Sequence, residues 1–414
     1  MRIAIIGAGI SGLSAAYMLA QAHEVVVFER EPRAGGHAHT HLVGGSGAPV
    51  PVDTGFMVFN TRTYPNFVRL LEALQVPSRP SDMSFGVRCR RCGLEYSSVG
   101  PGGLFAQRRR MADPGHWAML ADIVRFFRAG RDALTDGMAD QETLGAFLAR
   151  HGFGTGLVRH FVLPMGGAIW SASAGDMLAF PAGSFLRFLE NHGLLAATGQ
   201  PVWRTIAGGS RTYVDAICAR LDGGVRCGQP ARRILRDAEG VGVETMGGRQ
   251  ERFDRVVMAT HADEALALLG DASEAERAAL GAFRYSRNDT WLHTDTSTLP
   301  GRAAARASWN CDLVDCEDEQ APVSVTYDLS RLQGIGGQYL CSLNPVAPVG
   351  GEVLARMEYM HPILDGPALA AQAAVTRLNG QRHTYYCGAH LRYGFHEDGV
   401  VSALAVTRAF GLGL

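Results

Sequence analysis

The chain lacks lysine entirely, and all 39 of its basic residues are arginines. This absence excludes chemistry that depends on a lysine amine, such as a Schiff base with a carbonyl substrate. The chain also lacks any run near the roughly 20 apolar residues that a membrane-spanning helix needs. Its formal net charge of −1 provides no excess of positive charge for nucleic acid. We therefore expect no nucleic-acid partner and no membrane-spanning segment.

The eight cysteines do not form an extracellular disulfide pattern. The first predicted strand begins at residue 2, which leaves no room for a cleavable signal, so we expect a cytoplasmic protein. Cys89 and Cys92 form the only C-x-x-C pair. A structural zinc site would need a second matching pair, and Cys311 and Cys316 are more widely spaced. We accordingly expect reduced cysteines in a β-hairpin and no metal.

The first residues of the chain have the order of a dinucleotide-binding βαβ unit. A strand-like run at 2–6 leads directly into three glycines, Gly7, Gly9 and Gly12. In such a unit the first glycine makes a tight turn, the second lets the backbone approach a pyrophosphate, and the third lets the helix pack on the strand. The amides at the start of the helix, around Ser11, then donate to the phosphates.

A second strand-like run at 23–28 ends at the acidic residue Glu29, which lies 20 residues beyond Gly9. An acid at this position can bind both ribose hydroxyls of an adenosine. It also disfavours a 2′-phosphate. The sequence therefore predicts NAD or FAD as the nucleotide and not NADP.

Two short segments follow that acid. The first contains Gly35, Gly36 and His37, and the second contains Gly55, Phe56 and Met57. They resemble the segments that flavoprotein amine oxidases and phytoene-desaturase-like enzymes place along the ribityl chain and the flavin ring. The resemblance implies FAD as the cofactor. That family usually has an arginine after the glycine pair, where this chain has His37, and paired glycines also mark simple loops.

The end of the chain is similar to the same family. A short predicted strand ends near Gly388, and a helix with an acidic start contains Glu397, Gly399 and Val400. The resemblance implies that this helix directs its N-terminus at the flavin pyrimidine, where backbone amides stabilise negative charge. An ordinary acidic helix cap would have the same pattern. Where relatives carry an acid two residues after the strand glycine, this chain has His390.

A third segment, residues 224–260, alternates like strands joined by glycine turns. The resemblance implies that it returns to the nucleotide-binding domain and places Ala231 against the adenine. A chain of 414 residues exceeds what a single core usually fills. We therefore predict an α/β fold in which a Rossmann-like FAD-binding domain of the glutathione-reductase type, with amine-oxidase topology, is interleaved with an α+β substrate domain. The predicted FAD-binding domain comprises 1–80, 205–280 and 356–414, and the substrate domain comprises 81–204 and 281–355.

Two stretches of the predicted substrate domain suggest apolar ligands. Arg108, Arg109 and Arg110 precede an aromatic, helix-periodic run that ends at Arg128, a pattern that suits the anionic inner face of a membrane but also suits core packing. Residues 166–193 are apolar, aromatic and sparsely charged. Such a lining favours a hydrocarbon substrate over a charged metabolite.

Several motifs, among them Trp170 and the tracts 191–193, 203–204, 361–362 and 394–399, are similar to those of bacterial NAD/FAD-binding proteins associated with cyclopropane-fatty-acid-synthase-like methyltransferases. The resemblance implies an FAD-dependent oxidoreductase that desaturates or otherwise oxidises methylated fatty acyl chains of a membrane lipid by hydride transfer to flavin. A SAM-dependent lipid methyltransferase is the implied partner. Two alternatives stay open: an amine or amino-acid oxidase, and a flavin-binding methyltransferase partner without turnover. Many amine oxidases of this fold use a lysine, which this chain lacks.

The catalytic candidate is His361, which precedes Pro362 and must therefore be extended or in a turn. A neutral imidazole at that position can accept a proton as the acyl chain is oxidised. A histidine that merely ends a turn is the alternative. No other metal or nucleophile motif stands out, so flavin is expected to carry the redox chemistry.

Overall fold

The computed structural model describes residues 1–44, 47–137, 142–170, 173–196, 199–318, 320 and 323–414. Its centre is a parallel sheet of five strands with the spatial order β10-β2-β1-β14-β20. The strands are β1 (Arg2–Ile6), β2 (Glu24–Phe28), β10 (Val225–Arg226), β14 (Arg255–Met258) and β20 (Thr384–Tyr386). They are apolar because both faces of a parallel sheet are covered.

Helices cover one face of this sheet. They are α1 (Ile10–Leu19), α2 (Pro65–Leu74), α10 (Arg211–Cys218) and α15 (His396–Arg408). Their buried side chains form one continuous core with Ile3, Ile5, Val25 and Val27 of the sheet. This packing holds the N-termini of α1 and α15 close together, since Gly399 of α15 lies against Ile10 and Ser11 of α1.

The opposite face carries a small antiparallel sheet and three helices. The strands are β11 (Ala231–Arg236), β12 (Val241–Thr245) and β13 (Gln250–Phe253), and the helices are α11 (Ala262–Leu268), α12 (Glu274–Leu280) and α14 (Gly366–Leu378). A second core forms here around Ala4, Ile6, Val26 and Phe28. Alternate residues of β1 and β2 thus serve the two faces.

A sheet of seven strands, ordered β19-β15-β18-β17-β16-β7-β8, forms the second part of the molecule. Its strands are β7 (Phe85–Cys89), β8 (Glu95–Ser97), β15 (Arg284–His293), β16 (Trp309–Leu313), β17 (Val323–Asp328), β18 (Leu340–Leu343) and β19 (Val353–Ile363). All neighbours are antiparallel except β16 and β7. Helix α13 (Leu329–Gln333) follows β17.

Helices pack on this sheet over a third core. They are α3 (Gly100–Leu104), α4 (Pro114–Thr135), α5 (Leu144–Arg150), α6 (Thr155–Leu157), α7 (Leu163–Trp170), α8 (Ala174–Ala179) and α9 (Ala182–Asn191). A π-helical turn, Val158–Val162, connects α6 to α7. Within the described ranges, no helix combines the length and apolar character that crossing a membrane requires.

Two small sheets join these parts. One pairs β3 (Thr40–Val43) with β4 (Val50–Asp53), and the other has the order β5-β9-β6. Its strands are β5 (Phe59–Asn60), β6 (Ser78–Pro80) and β9 (Trp203–Ile206). Strand β9 therefore returns the chain from the helical layer to the strands that follow the nucleotide-binding unit.

The predicted α/β fold is confirmed. The predicted division into domains stays a prediction, and its boundary between residues 355 and 356 falls inside β19. That strand pairs with β15 from Val353 to Ile363, so the whole of β19 belongs to the seven-stranded sheet. A boundary between residues of a continuous ladder cannot separate two cores.

The amphipathic stretch after Arg110 forms helix α4, with Met119, Phe126 and Phe127 buried in the core. The core-packing interpretation therefore holds for this face of the helix. Trp117 and Val124 remain 51% and 59% exposed. The helix is thus anchored by one face and presents separate apolar side chains to solvent on another.

Candidate active site

A cavity of about 1030 Å³ lies where β1, β2, β14 and β20 end. Ligands of open α/β sheets bind at the carboxyl ends of the parallel strands, because the loops diverge there. The opposite wall comes from β19 and from the end of α7, which supplies Ile169 and Trp170. The cavity therefore has a nucleotide-binding side and a second side made by the seven-stranded sheet and its helices.

The surroundings of the glycines after β1 are compatible with the roles predicted for them. Gly7 has φ +104°, and a Cβ there would lie 2.8 Å from the carbonyl oxygen of Ala259. A Cβ on Gly12 would overlap the carbonyl oxygen of Gly7. Gly9, in contrast, has nothing within 4 Å of an added Cβ and lines the cavity. The first and third glycines serve packing, and the second leaves space at the start of α1 for a ligand.

Glu29 follows β2 and is held at this glycine loop. Its Oε2 atom accepts a hydrogen bond of 2.7 Å from the Ala8 amide, and its Oε1 atom accepts one of 2.9 Å from the Glu31 amide. Both bonds fix the carboxylate at the cavity wall. An acceptor so placed suits ribose hydroxyls, which donate hydrogen bonds.

The second glycine segment lies against the first. The Gly35 amide donates a hydrogen bond of 2.8 Å to the Ala8 carbonyl, so Gly35 connects the two glycine segments through the backbone. Gly36 lines the cavity beside Gly9. An added Cβ on Gly55 would overlap the His37 carbonyl oxygen. Gly55 therefore lets the loop after β4 approach the glycine pair closely.

His37 contributes a buried polar atom that its surroundings leave unsatisfied. Its Nε2 atom is buried at the cavity wall and has no hydrogen-bond partner among the described residues. Buried nitrogen atoms of this kind are normally paired. A ligand atom in the cavity would satisfy it.

Arg33 was not predicted from the sequence, yet it lines the same wall. Its guanidinium donates to the carbonyl oxygens of Gly36 at 2.9 Å and Ala38 at 3.3 Å. Burial lowers the pKa of Arg33, which still leaves it cationic at neutral pH. Arg33 precedes the glycine pair and supplies a positive charge beside the glycine loops. In the family that the sequence resembles, the arginine usually follows the pair. The position of Arg33 four residues before His37 was the available signal.

The C-terminal helix approaches the cavity with its first residues only. Phe395 and His396 line the wall, as do Gly388 and His390 before them. The His396 ring stacks on Phe56, with ring centroids 3.6 Å apart. Its Nε2 atom also lies 2.7 Å from Tyr213 Oη. These contacts hold the helix N-terminus at the cavity.

Three residues expected to contact the cofactor in this helix lie outside the cavity lining. The Glu397 carboxylate accepts hydrogen bonds from the amides of Asn66 and Phe67, and so caps helix α2. An added Cβ on Gly399 would lie 2.6 Å from Ile10 Cγ2, and Val400 is fully buried. All three residues pack α15 against α1 and α2, and their predicted contact with the cofactor stays a prediction.

Of the remaining predicted binding residues, most line the cavity. They are Gly7, Gly9, Ser11, Glu29, Gly36, His37, Gly55, Phe56, Met57, Ala231 and Gly388. The cavity also contains Thr260, His261 and Tyr285, which the sequence did not single out. Thr260 and His261 could have been found from their position in the loop after β14, because loops at the ends of parallel strands carry ligand contacts.

The cavity histidines are neutral at pH 7. Burial, together with repulsion from neighbouring charged groups, lowers the pKa of His37 and of His390 to about 3. Burial and repulsion from His261 lower the pKa of His361 to about 4. Burial also lowers the pKa of His396 far below its usual value. This wall therefore offers polar nitrogen atoms without positive charge.

His361 lies in β19, is extended as predicted, and lines the cavity. The Asn288 amide nitrogen donates to its Nδ1 atom at 3.2 Å. That amide is oriented by its own partners, since Asn288 Oδ1 accepts from Asn344 at 2.8 Å and Asn288 Nδ2 donates to the Ser286 carbonyl at 3.2 Å. Nδ1 is thus an acceptor, so the proton is on Nε2. In this tautomer His361 can donate a hydrogen bond from Nε2 and cannot accept a proton there, while its part in catalysis stays a prediction.

The second side of the cavity is largely apolar and aromatic. Its lining residues are Met57, Ala168, Ile169, Trp170, Tyr327, Leu343, Met357, Tyr359, Met360, Tyr393 and Phe395. Residues 168–170 of the apolar tract are thus part of the wall, while Phe185 and Phe188 pack behind Trp170. Ser171, at the end of the same apolar tract, lies outside the described residues.

These residues fit FAD. Gly9 leaves space at the N-terminus of α1 for a pyrophosphate, Glu29 offers an acceptor for ribose, and Arg33 adds positive charge. His37 has a buried nitrogen free for a ligand. Helix α15, of 13 residues, begins at His396 at the far end of the cavity, and the Phe395 amide before it donates to the Asp398 carboxylate at 3.0 Å. A helix N-terminus there suits the electron-rich part of a flavin.

A model of flavin-containing amine oxidoreductases matches residues 10–287 of the chain. Over 265 residues, the chain is 28% identical to a protein of Mycobacterium tuberculosis provisionally named flavin-containing monoamine oxidase AofH. That alignment covers 60% of this chain and 54% of the relative. The chain thus spans about half the length of the curated relative that it matches.

Solved structures share the fold over nearly the whole chain. A fatty acid isomerase from P. acnes that produces CLA superposes with a TM-score of 0.72 at 17% identity, covering 99% of this chain and 98% of that one. Putrescine oxidase bound to putrescine superposes with a TM-score of 0.68 at 12% identity, covering 99% of both chains. These TM-scores indicate a common fold, and identities this low do not identify a substrate.

Proposed function

Because this chain belongs to the flavin-containing amine oxidoreductase family, we propose that it is an FAD-dependent oxidoreductase that oxidises a methylated fatty acyl chain of a membrane lipid. The apolar lining on the second side of the cavity carries this proposal. A hydrocarbon chain gains free energy when it is transferred to such a lining, by about 0.8 kcal/mol for each CH₂ group.

The charges of the cavity also favour an acyl chain over an amine. A buried ammonium group needs an opposite charge or several hydrogen-bond acceptors. Glu358 is the acid that lines the second side among the described residues, and its carboxylate forms an ion pair with Arg287. Glu29, Glu31 and Glu264 belong to the nucleotide side of the same cavity. An amine would therefore find no unpaired carboxylate beside the apolar wall.

FAD, when bound, supplies the acceptor for the two electrons removed from the substrate. The chain's own part is to bind the acyl chain between Trp170 and Met360, exclude water and hold it in one orientation. His361 Nε2–H can donate a hydrogen bond at this wall, and its position in a paired strand keeps it fixed. Oriented donors of this kind stabilise charge that develops in a transition state.

Mass spectrometry of membrane lipids from cells with and without the gene tests this function. We expect methylated acyl chains to accumulate in cells without the gene. In cells with the gene, a fraction of these chains should be two hydrogens lighter. Identical lipid profiles together with altered amine pools would support an amine oxidase. A flavin that no lipid or amine reduces, together with changed methylation, would support a partner of a methyltransferase without turnover.

Access to a membrane lipid requires a surface that can meet the bilayer. Met111 and Trp117 are 60% and 51% exposed, and the Trp117 indole donates a hydrogen bond of 2.9 Å to the Met111 carbonyl. Arg108 and Arg109 lie beside them and are exposed. Aromatic side chains with adjacent arginines suit an anionic membrane surface. We therefore propose that the protein contacts the membrane peripherally through this patch. We also propose that a SAM-dependent lipid methyltransferase is the partner, because the substrate chain must first be methylated.

A further inference from the structure

Four possible metal ligands meet outside the flavin cavity. The Sγ atoms of Cys89, Cys92 and Cys316 and a ring nitrogen of His160 all lie within 4.8 Å of one another. Cys92 Sγ and His160 Nε2 are 3.4 Å apart. We propose that these side chains bind a zinc ion, and we call them the Cys₃His cluster.

The four ligands come from three separate segments. Cys89 ends β7, and Cys92 lies in the turn before β8, where Gly93 has φ +66°. His160 lies in the π-helical turn 158–162, and Cys316 follows β16. The parallel pairing of β16 with β7 sets Leu313 beside Cys89 and so carries the Cys316 loop to the hairpin. The expected hairpin with its C-x-x-C pair is confirmed. The proposal replaces the expectation of no metal, because His160 and Cys316 supply a second pair of ligands that spacing alone did not reveal.

The donor set identifies the metal. Three thiolates and one imidazole are a common set for structural zinc, with Zn–S distances of about 2.3 Å that put tetrahedral sulfur atoms about 3.8 Å apart. The ligand separations in the cluster allow this arrangement. Calcium and magnesium prefer oxygen ligands, which the cluster lacks. Binding displaces the protons of the three thiols to solvent and leaves a complex with a net charge of −1.

Ion pairs join the same three segments around the cluster. Arg91, next to Cys92, pairs with Asp315 at 2.7 Å and also with Glu317. Arg159, next to His160, pairs with Glu317 at 3.4 Å. Partly exposed pairs such as these stabilise only weakly. They orient the ligands, but a metal would supply the stronger connection between the segments.

His160 is also fixed from the other side, because Tyr96 Oη donates a hydrogen bond of 2.8 Å to its carbonyl oxygen. Four protein ligands fill a tetrahedral site and leave no position for substrate, so the zinc is structural. The π-helical turn continues into α7, whose last residues Ile169 and Trp170 form the apolar wall. Zinc therefore holds the helix that positions this wall, while the FAD side shares none of its ligands.

Metal analysis of the purified full-length protein, grown with added zinc, tests the proposal. We expect about one zinc per chain in the wild type and in the control Cys218→Ser, whose cysteine lies in α10. The double variant Cys92→Ser, Cys316→Ser should contain less than about a tenth of that zinc. It should fold and keep its flavin, because both cysteines are at least partly exposed. Replacement of zinc by Co²⁺ should produce the absorption bands of a tetrahedral thiolate site at wavelengths beyond the flavin bands.

Three results would overturn the assignment. The first is wild-type protein with less than about a tenth of a zinc per chain and no Co²⁺ bands. The second is full zinc content in the double variant. The third is a Cys89–Cys92 disulfide, found by alkylation and mass spectrometry of protein purified under reducing conditions, which would make the pair redox-active. Flavin content is measured in the same samples, so a loss of zinc is separated from a loss of the fold.

Discussion

The Glu29 carboxylate accepts a hydrogen bond of 2.7 Å from the backbone amide of Ala8. This bond joins the end of β2 to the glycine loop after β1. It holds the carboxylate where ribose hydroxyls can donate hydrogen bonds to it, beside or in place of the Ala8 amide. Glu29→Ala should therefore lower FAD occupancy, because a charge-assisted contact contributes about 1.5 to 3 kcal/mol. Absorbance of the purified protein measures this. Glu24→Ala, at the other end of β2 with a largely exposed carboxylate, should keep full occupancy.

Gly9 and Gly12 should respond differently to substitution by valine. Gly9 has φ −76° and open space around an added Cβ, so Gly9→Val should fold without FAD, because only a ligand would meet the side chain. Gly12→Val should not fold, since the added Cβ overlaps the Gly7 carbonyl. Circular dichroism and flavin absorbance distinguish the two outcomes. Full FAD occupancy in Gly9→Val combined with Glu29→Ala would contradict the assignment of this loop.

His361 should act as a hydrogen-bond donor. His361→Ala should keep FAD and slow anaerobic flavin reduction by lipid roughly 100-fold, the lower range for losing one oriented donor. His361→Gln should restore much of the rate, because its amide can donate, whereas a lost proton acceptor would not be rescued. Burial and repulsion from His261 lower the pKa of His361 to about 4, so the rate should show no inflection from this residue between about pH 5 and 8. Stopped-flow absorbance measures all three rates.

Glu276 should stabilise the fold in a pH-dependent way. Its side chain is 4% exposed and pairs with Arg236 at 2.6 Å, and Tyr386 Oη donates to it at 2.6 Å. Although burial acts in the opposite direction, these hydrogen bonds lower its pKa from 4.5 to about 2. A lowered folded-state pKa contributes stability that is complete above pH 4.5 and is lost as the pH falls through 2.

Glu276→Gln should accordingly lower the free energy of unfolding by about 3 kcal/mol at neutral pH, and by less near pH 3. Urea denaturation at the two pH values measures the difference. Glu274→Gln, an exposed acid in the same helical turn, is the control and should change the free energy by less than about 0.5 kcal/mol. Equal effects of the two substitutions would contradict the role of the buried pair.

The patch around Trp117 should bind anionic vesicles. Arg108→Gln with Arg109→Gln should lower the partition coefficient roughly 30-fold, because each arginine contributes about 1 kcal/mol near an anionic surface. Arg110→Gln should have a smaller effect, since Arg110 already pairs with Asp113 at 2.6 Å. Cosedimentation in low and high salt measures binding. Equal recovery with neutral and anionic vesicles would contradict membrane contact.

The features that the sequence predicted are those set by local backbone geometry. Gly7, Gly9 and Glu29 could be placed because a tight turn, a close approach and a strand end each require a particular residue at a fixed spacing. The fold followed from the order of such segments. The role of Ala231 was similarly tied to the start of a strand, and it lines the cavity as expected.

The features that the sequence missed depend on contacts between distant residues. The proton position on His361 is set by Asn288, which lies 73 residues earlier. Glu397 caps α2 from 330 residues away, a contact that the acidic start of its own helix did not reveal. The Cys₃His cluster draws its ligands from three segments that only the strand pairing and the π-helical turn bring together. Local sequence patterns and residue spacing do not predict such contacts.

In the proposed reaction, the flavin accepts electrons from an acyl chain held by the apolar wall. The most direct measurement is anaerobic stopped-flow absorbance of the FAD-loaded protein mixed with methylated fatty acyl phospholipid in one series and with amines in another. We predict bleaching of the flavin by the lipid, a product two hydrogens lighter, and a rate that falls when Trp170→Ala shortens the wall. Bleaching by an amine, with no reaction toward any acyl lipid, would contradict the account.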